Sequence, residues 1–521
     1  MDPDVLRDAA YDTISSPMLT YRQRLQRLAQ VGENLLDPPK LSPEAEDALA
    51  TGLLCDLHEG PAPYRPRYVL PDYVRALRQG SAYLELDPPQ DLEEALSFLR
   101  ILYQQVPSIT TFPVFLGDLD TLLEPFVDGI SDEELHRSLT RFWRELDRTI
   151  PDAFTHANLG PQDSRVGRML LRIDRELAQV VPNLTLRWDP KTSGDALLDE
   201  AVRSIVAVNK PHIANHPMIA RDFPPETFPA GYGVVSCYNT LPIGGGAHTL
   251  VRLNLAESVA RHDGDIDDYL AVTLPAHLEL LFEVLAARST FLVEEAGFYR
   301  QGFLVEEGLI DPGRFTAMAG LYGIAEAVDL LLGGDPLYGV DQAANELGHH
   351  LVAVAAAAVA AAPMPYCVDD RAMLHAQSGI SEDLDVTAGA RIPTGREPDT
   401  IRHILAVAPH HQLFASGVSD IFAVEPTAKD NPDALADLTR GGFAAGLREI
   451  TFNVDGCDLV RITGYMVRLS DVERSRRGAV RHASTLLGAE AIDHHQVLER
   501  TPRVVSAETS PFRIGAREPR P

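Results

Sequence analysis

From about Val180 onward the chain alternates short β-branched runs with longer segments of helical period, and that alternation is the strongest constraint on its fold. Asn183 to Trp188, Val234 to Tyr238, Thr249 to Leu255 and Ile450 to Val454 read as strands, and His277 to Ala287 and Phe315 to Leu332 read as helices between them. Strands separated by helices pair through crossovers, which gives an α/β fold with a buried parallel sheet. Ahead of this region the pattern is mainly helical. Leu92, Ala95, Leu96, Leu99 and Leu102 share one helix face, as do Leu135, Leu139, Phe142, Trp143 and Leu146, and Ser131 with Glu134 marks a capping box. The chain divides into a helical region over 1–180, an α/β core over 181–445, a terminal loop region over 446–475 and an Arg- and Pro-rich tail over 476–521.

Charge narrows the function classes. The net charge of −29, from 75 acidic and 46 basic residues, argues against a nucleic-acid surface. Four dispersed cysteines without a Cys-x-x-Cys pair point to a reducing compartment and give no thiolate zinc site. Met1-Asp2-Pro3-Asp4 lacks the basic and apolar character of a leader, and the apolar run Leu351 to Ala362 is only 12 residues, so it reads as a buried helix. The expectation is a cytoplasmic protein with no membrane partner. The pairs His349-His350, His410-His411 and His494-His495 lack a third ligand nearby, so no metal is expected.

Two segments carry chemistry. In Leu459-Val460-Arg461-Ile462-Thr463-Gly464-Tyr465-Met466-Val467-Arg468-Leu469 an isolated glycine sits within an apolar run, which in structural terms means a strand broken by a bulge. Glycine also lacks a Cβ, so a radical on its Cα can flatten and delocalise into both flanking amides. Upstream, Cys237 lies in Gly233-Val234-Val235-Ser236-Cys237-Tyr238-Asn239-Thr240-Leu241-Pro242-Ile243-Gly244-Gly245-Gly246. Its weak S–H bond suits hydrogen-atom exchange, although most buried cysteines are merely small hydrophobes. Shortly before it, Lys210 and His212 stand in a polar cluster between Asn209 and Pro217, which reads as substrate contacts or as a structural turn. The triple glycine serves either as an anion cradle or, preferably, as a tight turn.

The Gly464 motif closely resembles the signature of the glycyl radical enzymes. Pro229 to Tyr232, Val235 to Pro242, Thr249 to Leu253 and Gly441 to Glu449 look like the YjjI-type members, and Gly320 to Val328 is similar to a segment of the wider superfamily. Thr463 and Leu469 replace the more usual Ser, Ala or Cys and the usual Phe. The resemblance implies a ten-stranded α/β barrel with a mainly helical N-terminal region, the cysteine and glycine loops meeting inside it, and a homodimer. It implies no permanently bound cofactor. A separate radical-SAM activase would install the radical on Gly464, which would oxidise Cys237 to a thiyl that takes hydrogen from a small polar substrate. Arg461 would dock the loop through hydrogen bonds and Tyr465 through packing, while Asn239, Lys210 and His212 would orient the substrate.

Departures from better-known branches matter. Ser236 and Tyr238 flank a single cysteine, which disfavours the acyl transfer of a formate-lyase-like enzyme. Asn239 stands where dehydratases place a glutamate base, and an amide cannot accept a proton as a carboxylate does. An anaerobic ribonucleotide-reductase-like enzyme would carry four zinc cysteines near the radical loop, whereas here only Cys457 is close. A non-catalytic binding relative would need neither Gly464 nor Cys237.

Overall fold

The computed structural model describes residues 3–505, apart from 17–18, 20, 34, 36, 57–58, 61, 108–112, 301, 377–385, 479–480, 483, 494–499 and 501. The His494-His495 pair lies outside the described residues. The described strands are β1 (Leu54–Asp56), β2 (Tyr68–Leu70), β3 (Phe115–Asp118), β4 (His156–Leu159), β5 (Asn183–Trp188), β6 (His212–Asn215), β7 (Tyr232–Val235), β8 (Asn239–Pro242), β9 (Gly245–Asn254), β10 (Phe315–Tyr322), β11 (Met373–Ala376), β12 (Asp420–Val424), β13 (Glu449–Val454), β14 (Leu459–Arg461) and β15 (Met466–Arg468).

They form two main sheets and two hairpins. One sheet runs β1-β9-β10-β11, with β2 also on β9; the other runs β12-β13-β6-β5-β4-β3. Pairing is parallel from β9 to β11, from β3 to β6 and between β12 and β13, as the alternation of strand and helix requires. It is antiparallel between β13 and β6, where Glu449 faces Ala214, and where β1 and β2 meet β9. The expected parallel sheet is therefore mixed. Among the described residues the two sheets do not join into one closed ring of hydrogen bonds.

Helices cover the sheets where the periodicity puts them. Asp132–Thr149 begins at Ser131, whose hydroxyl accepts the Glu134 N–H, and buries Leu135, Leu139, Phe142, Trp143 and Leu146. Leu351, Val352, Ala355 and Val359 are buried on Gln342–Ala361. One continuous helical run, Ile266–Arg300, is long and apolar enough by length and composition to cross a membrane. Here its central part, Leu274–Thr290, packs on β9 and β10 and buries Leu274, Leu278, Leu281 and Leu285.

Two expectations need correction. Phe315 to Tyr322 is a strand, not the start of a helix; the helix is Ile324–Leu331. Every residue of β10 is buried, so no alternation marks it, and its Ala, Met and Leu are good helix formers. Gly320 keeps the strand close to β9, because a Cβ there would lie 2.7 Å from Arg252 Cγ. The strand expected over Val234 to Tyr238 ends at Val235, where the chain turns.

Candidate active site

β7 and β8 make a hairpin in which Val235 faces Asn239, leaving Ser236-Cys237-Tyr238 as the tip. Ser236 and Tyr238 adopt left-handed φ values of 51° and 65°, a conformation that costs a non-glycine residue roughly 1–2 kcal/mol. Surrounding groups hold it. Asn158 of β4 clamps Val234, its Nδ2 donating to Val234 O at 2.7 Å and its Oδ1 accepting Val234 N–H at 2.8 Å. Thr240 N donates to Ser416 O at 2.9 Å. Gly417, at φ +119°, passes so close that a Cβ would lie 2.0 Å from Tyr238 O.

The second hairpin, β14 and β15, pairs Arg461 with Met466 and turns through Ile462 to Tyr465, closed by Ile462 N–H to Tyr465 O at 3.0 Å. Its tip meets the cysteine tip. A Cβ built on Gly464 would lie 2.1 Å from Cys237 Cα, 2.4 Å from its Cβ and 2.9 Å from its Sγ, so only glycine fits. Both carbonyls flanking the Gly464 Cα accept hydrogen bonds: Tyr238 Oη donates to Thr463 O at 2.9 Å, and Asn183 Nδ2 donates to Gly464 O at 2.8 Å.

Arg461 is fully buried and ties this arrangement together. Its Nη1 donates to Asn183 Oδ1 at 3.2 Å, its guanidinium lies 5.7 Å from the Tyr238 ring centroid, and Asn453 brackets its backbone N–H and C=O at 3.0 and 2.8 Å. Tyr465 is buried with its ring 5.2 Å from that of Phe154. Arg461 thus meets its neighbours by hydrogen bonds and Tyr465 by packing.

Cys237 is 5% exposed. Burial raises its thiol, and the Ser236 hydroxyl, Arg67, Arg391 and the Gly464 amide oppose that only in part. The sulfur accordingly keeps its hydrogen at neutral pH. Asn239 donates from Nδ2 to Val235 O at 3.1 Å, while its buried Oδ1 finds no donor among the described residues. That leaves an acceptor two residues from the cysteine.

Lys210 and His212 part company. The Lys210 ammonium is wholly buried and spends its three donors on Asp174 Oδ1 at 2.7 Å, Gln179 O at 3.1 Å and Pro182 O at 2.7 Å. None is left for a substrate, so this lysine braces the segment that leads into Asn183. His212 belongs instead to a buried network. Its Nε2 lies 2.9 Å from Thr185 Oγ1 and 3.4 Å from Glu449 Oε2, its ring stands edge-on to Tyr238 at 4.7 Å, and Thr185 Oγ1 is also 2.6 Å from His156 Nε2. Burial keeps both histidines well below the ordinary imidazole range and pushes the Glu449 carboxyl well above the ordinary carboxylate range. A neutral imidazole next to a protonated carboxyl can pass a proton in either direction.

Thr185, His156 and Glu449 were not legible as site residues. They come from β5, β4 and β13, and only sheet register, with Thr185 beside His212 and Glu449 beside Ala214, gathers them. Asn183 was hidden in the same way, beside His156 in register.

A family model, "Glycyl radical enzyme YjjI-like", matches residues 19–503. The chain belongs to the YjjI-like glycyl radical enzyme family. It is 49% identical to the protein YjjI of Escherichia coli (strain K12) over 508 residues, covering 97% of this chain and 98% of that protein. In fold it is similar to the B12-independent glycerol dehydratase from Clostridium butyricum, at a TM-score of 0.73 and 12% identity over 96% of this chain and 89% of that one. It is also similar to an anaerobic ribonucleotide reductase, at a TM-score of 0.68 and 12% identity over 91% and 90%. These solved structures share the mixed α/β architecture with this YjjI-like chain.

Proposed function

We propose that Gly464 stores an unpaired electron, that Cys237 carries it to the substrate, and that the protein transforms a small polar molecule by hydrogen-atom abstraction. The observation that carries this reading is the contact between the two tips, where any side chain at position 464 would overlap Cys237.

A radical-SAM activase, a separate protein, would remove one hydrogen atom from the Gly464 Cα after the terminal hairpin moves out. That hairpin is suited to moving as a unit. Leu459, Val460, Ile462, Tyr465, Met466, Val467 and Val472 pack with Ala153, Val180, Val181 and Val208 in a small cluster apart from the main core. With the hairpin home, the Gly464 radical takes the hydrogen from Cys237 Sγ, restoring glycine and leaving a thiyl. The thiyl takes a hydrogen atom from a substrate carbon, the substrate radical rearranges or fragments, and the product radical recovers hydrogen from Cys237. Asn239 Oδ1 would accept a substrate hydroxyl, and His212 with Glu449 would move a proton if the reaction expels hydroxide.

Cys237→Ser separates storage from use. Activated protein carrying it should keep the glycyl signal and lose turnover, and retained turnover would remove Cys237 from the mechanism. Exposure of activated wild type to air should cut the chain at Gly464; an intact chain after the signal has been lost to air would count against a radical at that carbon.

A further inference from the structure

The cationic groups around Cys237 are not equally satisfied by hydrogen bonds among the described residues. On one side Arg67 and Arg288 face Glu59, at 3.1 and 3.4 Å, and Arg288 also meets Asp56 at 2.7 Å. On the other side stand Arg391 and Arg500. Arg391 is 6% exposed; its Nε donates to Ser419 O at 3.1 Å, and its Nη2 finds no hydrogen-bond partner among the described residues. The Arg500 side chain is 10% exposed, its Nη1 is likewise without a partner among the described residues, and Glu397 lies at 3.9 Å from its Nε. Asp420, whose oxygens take His403 Nε2 at 2.9 Å and the Ile421 N–H at 2.7 Å, acts on both arginines through space and leaves Arg391 Nη2 and Arg500 Nη1 without a hydrogen bond among the described residues.

Two features place these guanidiniums on the Tyr238 side of the cysteine tip. Ser419, which holds Arg391, is 3.3 Å through its hydroxyl from Thr451 Oγ1, and Thr451 is 3.4 Å from the hydroxyl of Tyr238, next to Cys237. Burial and the charge of Arg391 push Arg500 down to about 10, as two neighbouring cations should, and Arg391 is also among the charges acting on the Cys237 thiol. Arg500 arrives from beyond the radical hairpin and is fixed there by its neighbour Arg503, whose backbone bonds to Ala423 and Glu425 at the edge of β12.

Buried guanidinium nitrogens without partners are costly, and an anion removes that cost through short charge-assisted hydrogen bonds. We propose that the substrate carries an anionic group, a carboxylate or a phosphate, which docks between Arg391 Nη2 and Arg500 Nη1 and sets the reacting carbon against Cys237. This inference rests on Cys237 being the reacting thiol. It also assigns the C-terminal segment a part in the site, since Arg500 closes it.

The test needs no radical. Full-length, unactivated protein is titrated calorimetrically at constant ionic strength with sodium lactate, with glycerol 3-phosphate and with neutral propane-1,2-diol. At least one anion should bind more tightly than the diol, and which one does so separates a carboxylate site from a phosphate site. Arg391→Gln and, independently, Arg500→Gln should weaken that anion about tenfold or more, as loss of a charged hydrogen bond does. The bound anion should also slow alkylation of Cys237 by N-ethylmaleimide in the wild type. If neither anion outbinds the diol, if both variants keep wild-type affinity, or if the bound anion leaves Cys237 alkylation unchanged, the proposal is overturned. Failure here would leave the glycyl radical untouched, and absence of the radical would leave anion binding measurable.

Discussion

At the scale of single residues, Gly464 is governed by lack of space and by its two flanking carbonyls. Tyr238→Phe removes the hydroxyl that bonds Thr463 O and should cost about 1 kcal/mol, read as a lowered melting midpoint, while the glycyl signal of activated protein decays faster. Asn183→Ala should cost more, about 1–3 kcal/mol, because it strands both Gly464 O and an Arg461 nitrogen; an unchanged midpoint would show that this bridge carries nothing. Glu449 is legible by its proton. Burial lifts its carboxyl, so the folded chain keeps a proton that the unfolded chain releases above the ordinary value of 4.5, and stability falls as pH rises through that window. Glu449→Gln should flatten that loss as pH rises above 4.5, and equal slopes in melting midpoint for variant and wild type would contradict the assignment. Gly464 and Cys237 stood out in the sequence because each sits in a distinctive local string. Asn183, Glu449, Arg391 and Arg500 did not, because their neighbours are far away in the chain.

At the scale of elements, two hairpins face each other with different supports. The cysteine hairpin is pinned by Asn158, Ser416 and Gly417 to the sheets, and Gly417→Ala should damage it severely, since the added Cβ meets Tyr238 O at 2.0 Å in a left-handed backbone. The glycine hairpin rests on a smaller cluster and on Asn209, whose side chain bonds Leu459 O and Val454 N at 2.7 Å each. Deuterium exchange should therefore be faster in β14 and β15 than in β9 and β10, and Asn209→Ala should widen the gap. Equal protection would argue against a hairpin that moves as a unit. Sequence periodicity found β5 and the helix Asp132–Thr149 with little error, because each has a clear repeat and, in the helix, a capping box. It misread β10, whose two buried faces erase the alternation that identifies a strand.

At the scale of the whole molecule, burial dominates titration. His248 and His482 are held at about 4, and His410 and His411 at about 3, chiefly because the interior disfavours their charged forms. Below the ordinary value of 6.5 the unfolded chain takes up protons that the folded chain refuses, so stability is fully present above that value and is lost as pH falls toward 4. The melting midpoint should drop between pH 7.5 and 5; a flat profile would mean that these rings are hydrated. The α/β class was legible from the alternation of strands and helices, whereas the division into two sheets and the antiparallel seam between β13 and β6 were not, because no local pattern encodes which strands become neighbours. The proposed chemistry stands on one unpaired electron at position 464. Anaerobic activation of wild-type protein should give an electron paramagnetic resonance doublet, split by the single remaining hydrogen on the Gly464 Cα, that collapses when the protein is made with α-deuterated glycine and is absent from Gly464→Ala. A signal that survives in that variant, or a flat spectrum from fully activated wild type, would contradict it.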